Sequence, residues 1–375
     1  MNLNKKFFTA AAAAVLAFGL LALPQAEAGR RQKKVQKTVI TATQPTAPAQ
    51  QAAPAPQAAA QPAGAAKQQA APVPAPQPRT ITISLAGDCT LGEFKGQDEG
   101  LLVRDYYDMK GPDWFFANVK PVFAQDDFTF VNLEGPLTNL PQVAVKQFPI
   151  KGDVRNVNAL TAGSVEVCNL CNNHIQDCGD AGMVETEEVL AANGIAYCGG
   201  TLNGVLLEKK GIKTAFLGYD GWATGAFIED MIAEDIAAMR AQGAKLVVCE
   251  FHWGEERAYR HNPIQQALAH HAIDCGADIV VGAHSHVLQD TEIYQGKLIC
   301  YSLGNFSFGA NSDPVDKDTV IVQQTFVETP TGMAYGETKF LPCRISSVDY
   351  ENNYQPTPFS APEDIARVLE KLQVD

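Results

Sequence analysis

Beyond Gly29, this sequence of 375 residues contains no apolar run long enough to cross a bilayer, which excludes a body threaded through the membrane. No cysteine directly follows the one apolar stretch near its start, so nothing there could accept a lipid. No internal repeat is found. Residues 44–78 carry one charge, Lys67, and consist almost wholly of Pro, Ala and Gln. A segment so poor in large apolar side chains cannot bury enough surface to fold. Basic residues are scarce where folding is possible. Residues 1–79 hold nine Lys or Arg against one acidic residue, Glu27, which leaves 20 basic and 41 acidic residues, a net of −21, for the remaining 296. A globular part that acidic excludes nucleic acid as a partner.

What is present begins with the layout of a secretory signal peptide over residues 1–28. Lys5 and Lys6 precede an apolar run from Phe7 to Leu23, and Ala26-Glu27-Ala28 supplies a small-residue cleavage site. The alternative is an uncleaved anchor. Either way the expected location is extracytoplasmic, periplasmic or secreted, with a tether to the membrane in the second case. Residues 29–78 then form a linker, first basic (Arg30, Arg31, Lys33, Lys34, Lys37) and then Pro/Ala/Gln-rich, which could reach up to roughly 100 Å. Its basic patch suits an anionic membrane surface or wall polymer, or is a solvated charge run.

The cysteines number nine, an odd count, so at least one thiol stays free even where oxidation permits disulfides. Cys168, Cys249 and Cys300 lie in strand-like runs and read as small core residues. Cys168, Cys171 and Cys178 are close enough for a thiolate metal site, but a second paired C-x-x-C is missing.

Short β-rich runs alternate with helical stretches. The strands are expected at 80–86, 128–133, 165–170, 214–219, 245–251 and 278–283, and helices at 112–124, 181–193, 228–242 and 264–275. Gly194 and Gly276 supply the left-handed residues that end two of the helices. This order means an α/β domain. The runs "KLICYSLGNFSFG", "TVIVQQTFV" and "TKFLPCRISSVDY" lack helices between them and are expected as antiparallel strands of a second sheet. The domain is placed at 79–349, followed by an extension, 350–375, with a terminal helix over 361–372.

Polar residues cluster where these strands end. Asp88 follows the first strand, Glu134 the second, Asn173 and His174 the third, His252 the fifth, and His284 and His286 the sixth. In an α/β sheet such ends share one edge, where ligands bind. Mixed carboxylate, amide and imidazole groups suit Mn, Fe or Zn. Glu256, Trp253 and the loop 302–309 are expected to line the rim or to support and pack beneath it.

The motifs "GDCTLG", "NLEGPLT", "NNHIQDCGDAG", "HWGEE" and "GADIVVGAHSHVLQ…YSLGNFSFG" occur in the order seen in the CapA family of capsule and poly-γ-glutamate synthesis proteins. The family's domain resembles the calcineurin-like metallophosphoesterases. The resemblance covers about residues 80–327. It implies an α/β/β/α sandwich of two packed mixed sheets flanked by helices. It also implies one metal held by Glu134, Asn173, His252 and His284, and another by Asp88, Glu134 and His286, with Glu134 bridging. His174 would protonate a leaving group and Asp177 would orient its ring. The chain departs from that pattern twice. The carboxylate after the histidine is offset to Asp177, and the usual Asp-x-His opening is Asp88-Cys89-Thr90, which leaves one metal short of a ligand. One ion is therefore expected to bind tightly and a second weakly. Cys89 is either packed or, beside a ligand, reactive.

Three functions fit this reading. One is a component of a membrane-bound synthase complex that makes, exports or anchors an anionic capsule or wall polymer. Another is a freely acting metal-dependent hydrolase of phosphoesters or envelope polymers. The third is a non-catalytic polymer-binding module.

Overall fold

The computed structural model describes residues 78–374 apart from 95, 98 and 99. The signal peptide and the linker up to residue 77 lie outside the described residues. Among those described, no helix is long and apolar enough to cross a membrane.

The chain lays down half of one sheet, builds a second sheet whole, and then returns to finish the first. Strands β1 (Thr80–Thr90), β2 (Phe128–Leu133), β3 (Val167–Asn169) and β4 (Ala196–Cys198) run parallel side by side. The second sheet follows, with β5 (Gly204–Lys209), β6 (Ile212–Gly221), β7 (Leu246–Trp253), β8 (Ile279–Ala283), β9 (Thr291–Tyr294) and β10 (Lys297–Cys300) in the order β9-β10-β8-β7-β6-β5. The return adds β11 (Asn305–Phe308), parallel to β1, and the long antiparallel pair β12 (Asp318–Thr329) and β13 (Gly332–Arg344), with β14 (Thr357–Pro358) at the edge. The first sheet therefore reads β14-β13-β12-β1-β2-β3-β4.

Period-two alternation explains how the sheets stack. On β1, Ile81, Ile83 and Leu85 join Leu246 and Val248 of β7 and Ile279 and Val281 of β8 in one core between the sheets. The intervening residues point outward. Val247, Cys249, Phe251 and Trp253 of β7 and Val280 of β8 pack under helices α5 (Ala226–Ala241) and α6 (Pro263–Asp274) through Ile232, Ile236, Leu268 and Ala272. The outer face of the first sheet is covered by α1 (Val103–Lys110), α3 (Val157–Gly163) and α4 (Gly179–Ala192), which contribute Val103, Leu160, Met183 and Leu190; a single turn, α2 (Lys120–Phe123), adds Phe123. The layering is α/β/β/α, two mixed sheets between helices.

Three expectations are corrected. The runs after residue 297 do not make a sheet of their own. Lys297–Cys300 joins β8 in the second sheet, and the later strands complete the first, because the edge of β1 left open by β2 needs a partner. The stretch 112–124 is no continuous helix: a 3₁₀ turn at Pro112–Trp114 and the turn α2 replace it, with Pro121 at a position where a helix can begin. Helices α1 and α3 were not anticipated. Residues 350–374, set apart in the sequence as an extension, contribute β14 and helix α7 (Pro362–Leu372), whose Val368 and Leu372 are buried in the core between the sheets.

All nine cysteines are free, seven of them buried, so Cys168, Cys249 and Cys300 are core residues and Cys89 packs under the helices of the first sheet. Burial pushes the Cys89 thiol up, out of the range where it would be a thiolate.

Candidate metal centre

The ends of β1, β2, β7 and β8 and the loop after β3 bring their polar side chains together at one place. Strand β7 shows how residues reach this place. Leu246 and Val248 face the other sheet, and the same alternation runs on through Glu250 to His252. His252 is fully buried in a side chain cage: its Nδ1 lies 3.2 Å from Asn132 Nδ2 and its Nε2 3.0 Å from Asn173 Oδ1.

His284 and His286 arrive differently. The chain leaves β8 with His284 at φ 95° and His286 at φ 57°, both in the left-handed region that residues with a Cβ avoid. Strain of this kind persists where the surroundings hold it and concentrates at functional sites. With that backbone, His284 Nδ1 sits 3.1 Å from His252 Nε2. His286 Nδ1 lies 2.9 Å from Asn305 Oδ1 and 3.3 Å from Asp88 Oδ2. Asp88 in turn accepts a hydrogen bond from Asn132 Nδ2 at 2.7 Å.

Glu134 occupies the middle. Thr90 Oγ1 donates to its Oε2 at 2.8 Å, while Oε1 is buried without a hydrogen-bond partner and lies 3.8 Å from both His252 Nε2 and His286 Nε2. The threonine thus stands two residues after Asp88, where the calcineurin-like pattern would place a histidine, and it fixes one oxygen of Glu134. Among the described residues, the one group of His, Cys, Asp and Glu whose ligand atoms all fall within 4.8 Å of each other is Glu134, His284 and His286. Cys168, Cys171 and Cys178 form no such group.

The electrostatics follow from this crowding. Burial alone would lower the pKa of His286, but the Glu134 and Asp88 carboxylates beside it hold it up to about 10. Burial likewise works against ionised Asp88, yet the hydrogen bond and charge of His286 hold it down to about 2. His252 is driven well below its ordinary value by burial, and His284 is lowered to about 4 by burial and then by the charge of His286. Two neutral imidazoles with ring nitrogens 3.1 Å apart, next to a buried carboxylate oxygen lacking any partner, are a donor set that fits a divalent cation.

His174 lies beside this cluster on the loop after β3. A turn closed by Asp177 N donating to His174 O at 3.0 Å brings the Asp177 carboxylate back, and Oδ2 lies 2.7 Å from His174 Nδ1. The three-residue offset between them is spanned by that turn.

The sequence reading missed three contributors. Asn132 links Asp88 and His252, and its Oδ1 accepts from Asn169 and Asn172. Trp222, 44% exposed, sets its indole 4.6 Å from the His284 ring. Lys146 reaches His174 from a distant loop. Asn132 was visible as a polar residue near the end of an otherwise apolar strand; the other two sit in loops with no local signal. Of the two alternatives for Trp253, packing holds: it is fully buried, stacked on Phe251 at 4.5 Å, and donates to Tyr301 O, so it supports the second sheet and lines no rim. Glu256 is exposed, and the stretch 302–309, expected as a loop, holds strand β11, whose first residue Asn305 meets the cluster.

Residues 82–310 match the family described as bacterial capsule synthesis protein PGA_cap. The chain is 30% identical over 281 residues to the capsule biosynthesis protein CapA of Bacillus anthracis, covering 68% of this chain and 66% of that protein. It is also 30% identical over 273 residues to the PGA biosynthesis protein CapA of Bacillus subtilis (strain 168), covering 67% and 69%. The chain thus spans about two thirds of the length of these relatives. A solved structure of similar fold is a phosphatase from Mycoplasma pneumoniae, 11% identical, with a TM-score of 0.47 over 77% of this chain and 98% of the other. By the extent of both matches, this chain belongs to the bacterial capsule synthesis protein family PGA_cap.

Proposed function

We propose that this protein acts outside the cytoplasm in making, exporting or anchoring an anionic capsule polymer such as poly-γ-glutamate, together with a membrane-bound synthase. We further propose that the cluster of Asp88, Glu134, Asn173, His252, His284 and His286 binds divalent ions, Mn, Fe or Zn, one tightly and a second weakly. The observation that carries the metal reading is the partnerless Glu134 Oε1 between two imidazole nitrogens. Asn173, His252, His284 and Glu134 would hold the tighter ion; Asp88, His286 and Glu134 the weaker.

Bound ions would supply Lewis acidity toward a phosphoryl or acyl oxygen. The protein's own groups do the rest. Thr90 leaves Glu134 one free oxygen, and Asn305 and Asp88 orient the His286 ring. Asp177 fixes Nδ1 of His174, which leaves Nε2 to hold or give a proton to a departing oxygen. This last contact favours a second reading, a freely acting metal-dependent hydrolase.

Elemental analysis of the dialysed full chain tests the metal, and polymer production by cells carrying variants tests the role. We expect close to one retained transition-metal equivalent, lost in His252→Ala along with polymer production. If His174→Ala also abolishes polymer, proton donation belongs to the role. Wild type without transition metal, and a His252→Ala strain that makes polymer normally, would overturn the reading.

A further inference from the structure

Between Asn139 and Pro149 the chain crosses the mouth of the loop that carries His174. Little packing holds this strap: Val145 is fully exposed, and Val143 and Phe148 are about half exposed. Polar contacts hold it, and they converge on Asp177, which is itself buried. Val143 N and Ala144 N both donate to Asp177 O, at 2.9 and 3.1 Å, and Ile150 N donates to Asp177 Oδ2 at 2.6 Å. Lys146 completes the set. Its Nζ lies 2.6 Å from Asp177 Oδ1, 2.8 Å from Asn173 O and 2.9 Å from His174 Nδ1.

Two of the ammonium's three protons meet acceptors, Asp177 Oδ1 and Asn173 O, while His174 Nδ1, whose own proton goes to Asp177 Oδ2, is a close neighbour and not a third acceptor. That geometry decides between two roles for an accessible lysine beside a candidate reaction centre. A lysine kept for recruiting an anionic ligand would present its donors to it; this one has two of its three committed to the residues around it. It also grips both halves of the site at once, the carboxylate that sets the His174 ring and the backbone of Asn173, whose side chain faces His252.

We infer that Lys146 is a positioning residue for the His174–Asp177 pair. By fixing Asp177 Oδ1 it leaves Oδ2 to the ring nitrogen and to Ile150, so that the ring has one orientation, and it makes the strap a working part of the centre. The catalytic consequence rests on the hydrolase reading; the structural consequence does not.

The test uses the metal-free full chain labelled with ¹⁵N-histidine. Long-range ¹⁵N–¹H spectra of the His174 ring should show one ordered tautomer in wild type and in Lys146→Arg, which keeps the charge and the donors. In Lys146→Met the two ring nitrogens should average, as in a free imidazole, with the melting temperature nearly unchanged. Lys146→Gln, shorter but still a donor, should fall between them. His174 signals in Lys146→Met identical to wild type would overturn the inference, as would averaging in Lys146→Arg. Where a phosphoester is turned over, kcat should fall roughly tenfold in Lys146→Met with KM little changed, and recover in Lys146→Arg. An ordered ring that responds to Lys146 in a protein without turnover would sink the hydrolase reading and leave the positioning role standing.

Discussion

Replacing His284 with glycine separates the backbone strain at this centre from its ligand chemistry. At φ 95°, His284 occupies a region that costs about 1–3 kcal/mol for a residue with a Cβ. Glycine removes that cost but adds about 0.5–1 kcal/mol of chain entropy on folding. It also gives up the contacts of a nearly buried ring, on the order of 1–2 kcal/mol. These terms offset one another, so metal-free His284→Gly should unfold within about 1 kcal/mol of wild type. His252 is the control. It sits in strand β7 with no positive φ, is fully buried, and meets Asn132 and Asn173. Its alanine variant should lose about 2–4 kcal/mol through cavity and unpaired amides. With Mn or Zn at a hundredfold excess over its dissociation constant, wild type should gain about 2.7 kcal/mol and neither variant should gain as much. Urea unfolding of the three proteins, stripped and loaded, gives all six numbers. If His284→Gly costs as much as His252→Ala without metal, the strain account is wrong. Equal gains on loading in all three would remove these histidines from the ligand set.

Two further outcomes follow from groups outside the centre. Burial raises Asp126 to about 6 and Glu166 to about 7, and both carboxylates bond to Thr129. A carboxyl whose folded pKa is raised contributes stability that is complete below its unfolded value near 4 and is lost as pH rises through the folded one. Stability should therefore decline between about pH 4 and 7, and Glu166→Gln, which keeps an acceptor for Thr129 N, should flatten that decline in denaturant titrations; an unaltered slope refutes the assignment. Leu372 on α7 is fully buried between the sheets, so Leu372→Ala should cost about 2–5 kcal/mol in the same assay, and a loss under about 0.5 kcal/mol would show that the helix is an appendage.

Legibility in the sequence followed the range of the forces involved. The strand at 128–133 is found where its apolar run places it, and those at 80–90, 212–221, 246–253 and 279–283 within a few residues, because a doubly covered strand is continuously apolar. Gly194 and Gly276, at φ 73° and 109°, mark helix ends through a local backbone rule. What failed was pairing. Nothing in "TVIVQQTFV" says which sheet it will join, since alternation specifies a face and not a neighbour. The cluster at the strand ends was readable because strand direction alone brings such ends together, and Asp88, Glu134, His252, His284 and His286 converge as that rule requires. Lys146 was not readable, for its partners lie 27 to 31 residues along the chain and are reached through a loop without periodicity.

The order in which the first sheet is completed has a kinetic meaning. β1 is made early, yet its antiparallel neighbour β12 arrives late, with Thr82 and Thr325 paired across 243 residues. Contacts that distant form slowly, because the entropy of closing the loop is lost before any pairing repays it. Until the last strands exist, one edge of β1 stays open, and such edges recruit other chains. A ribosome or a translocation pore delivers the N-terminal half first, so the nascent protein must wait with that edge bare. Chaperone dependence and the yield of refolding should then be limited by the final sixty residues, and a chain stopped before β12 should aggregate however sound its second sheet.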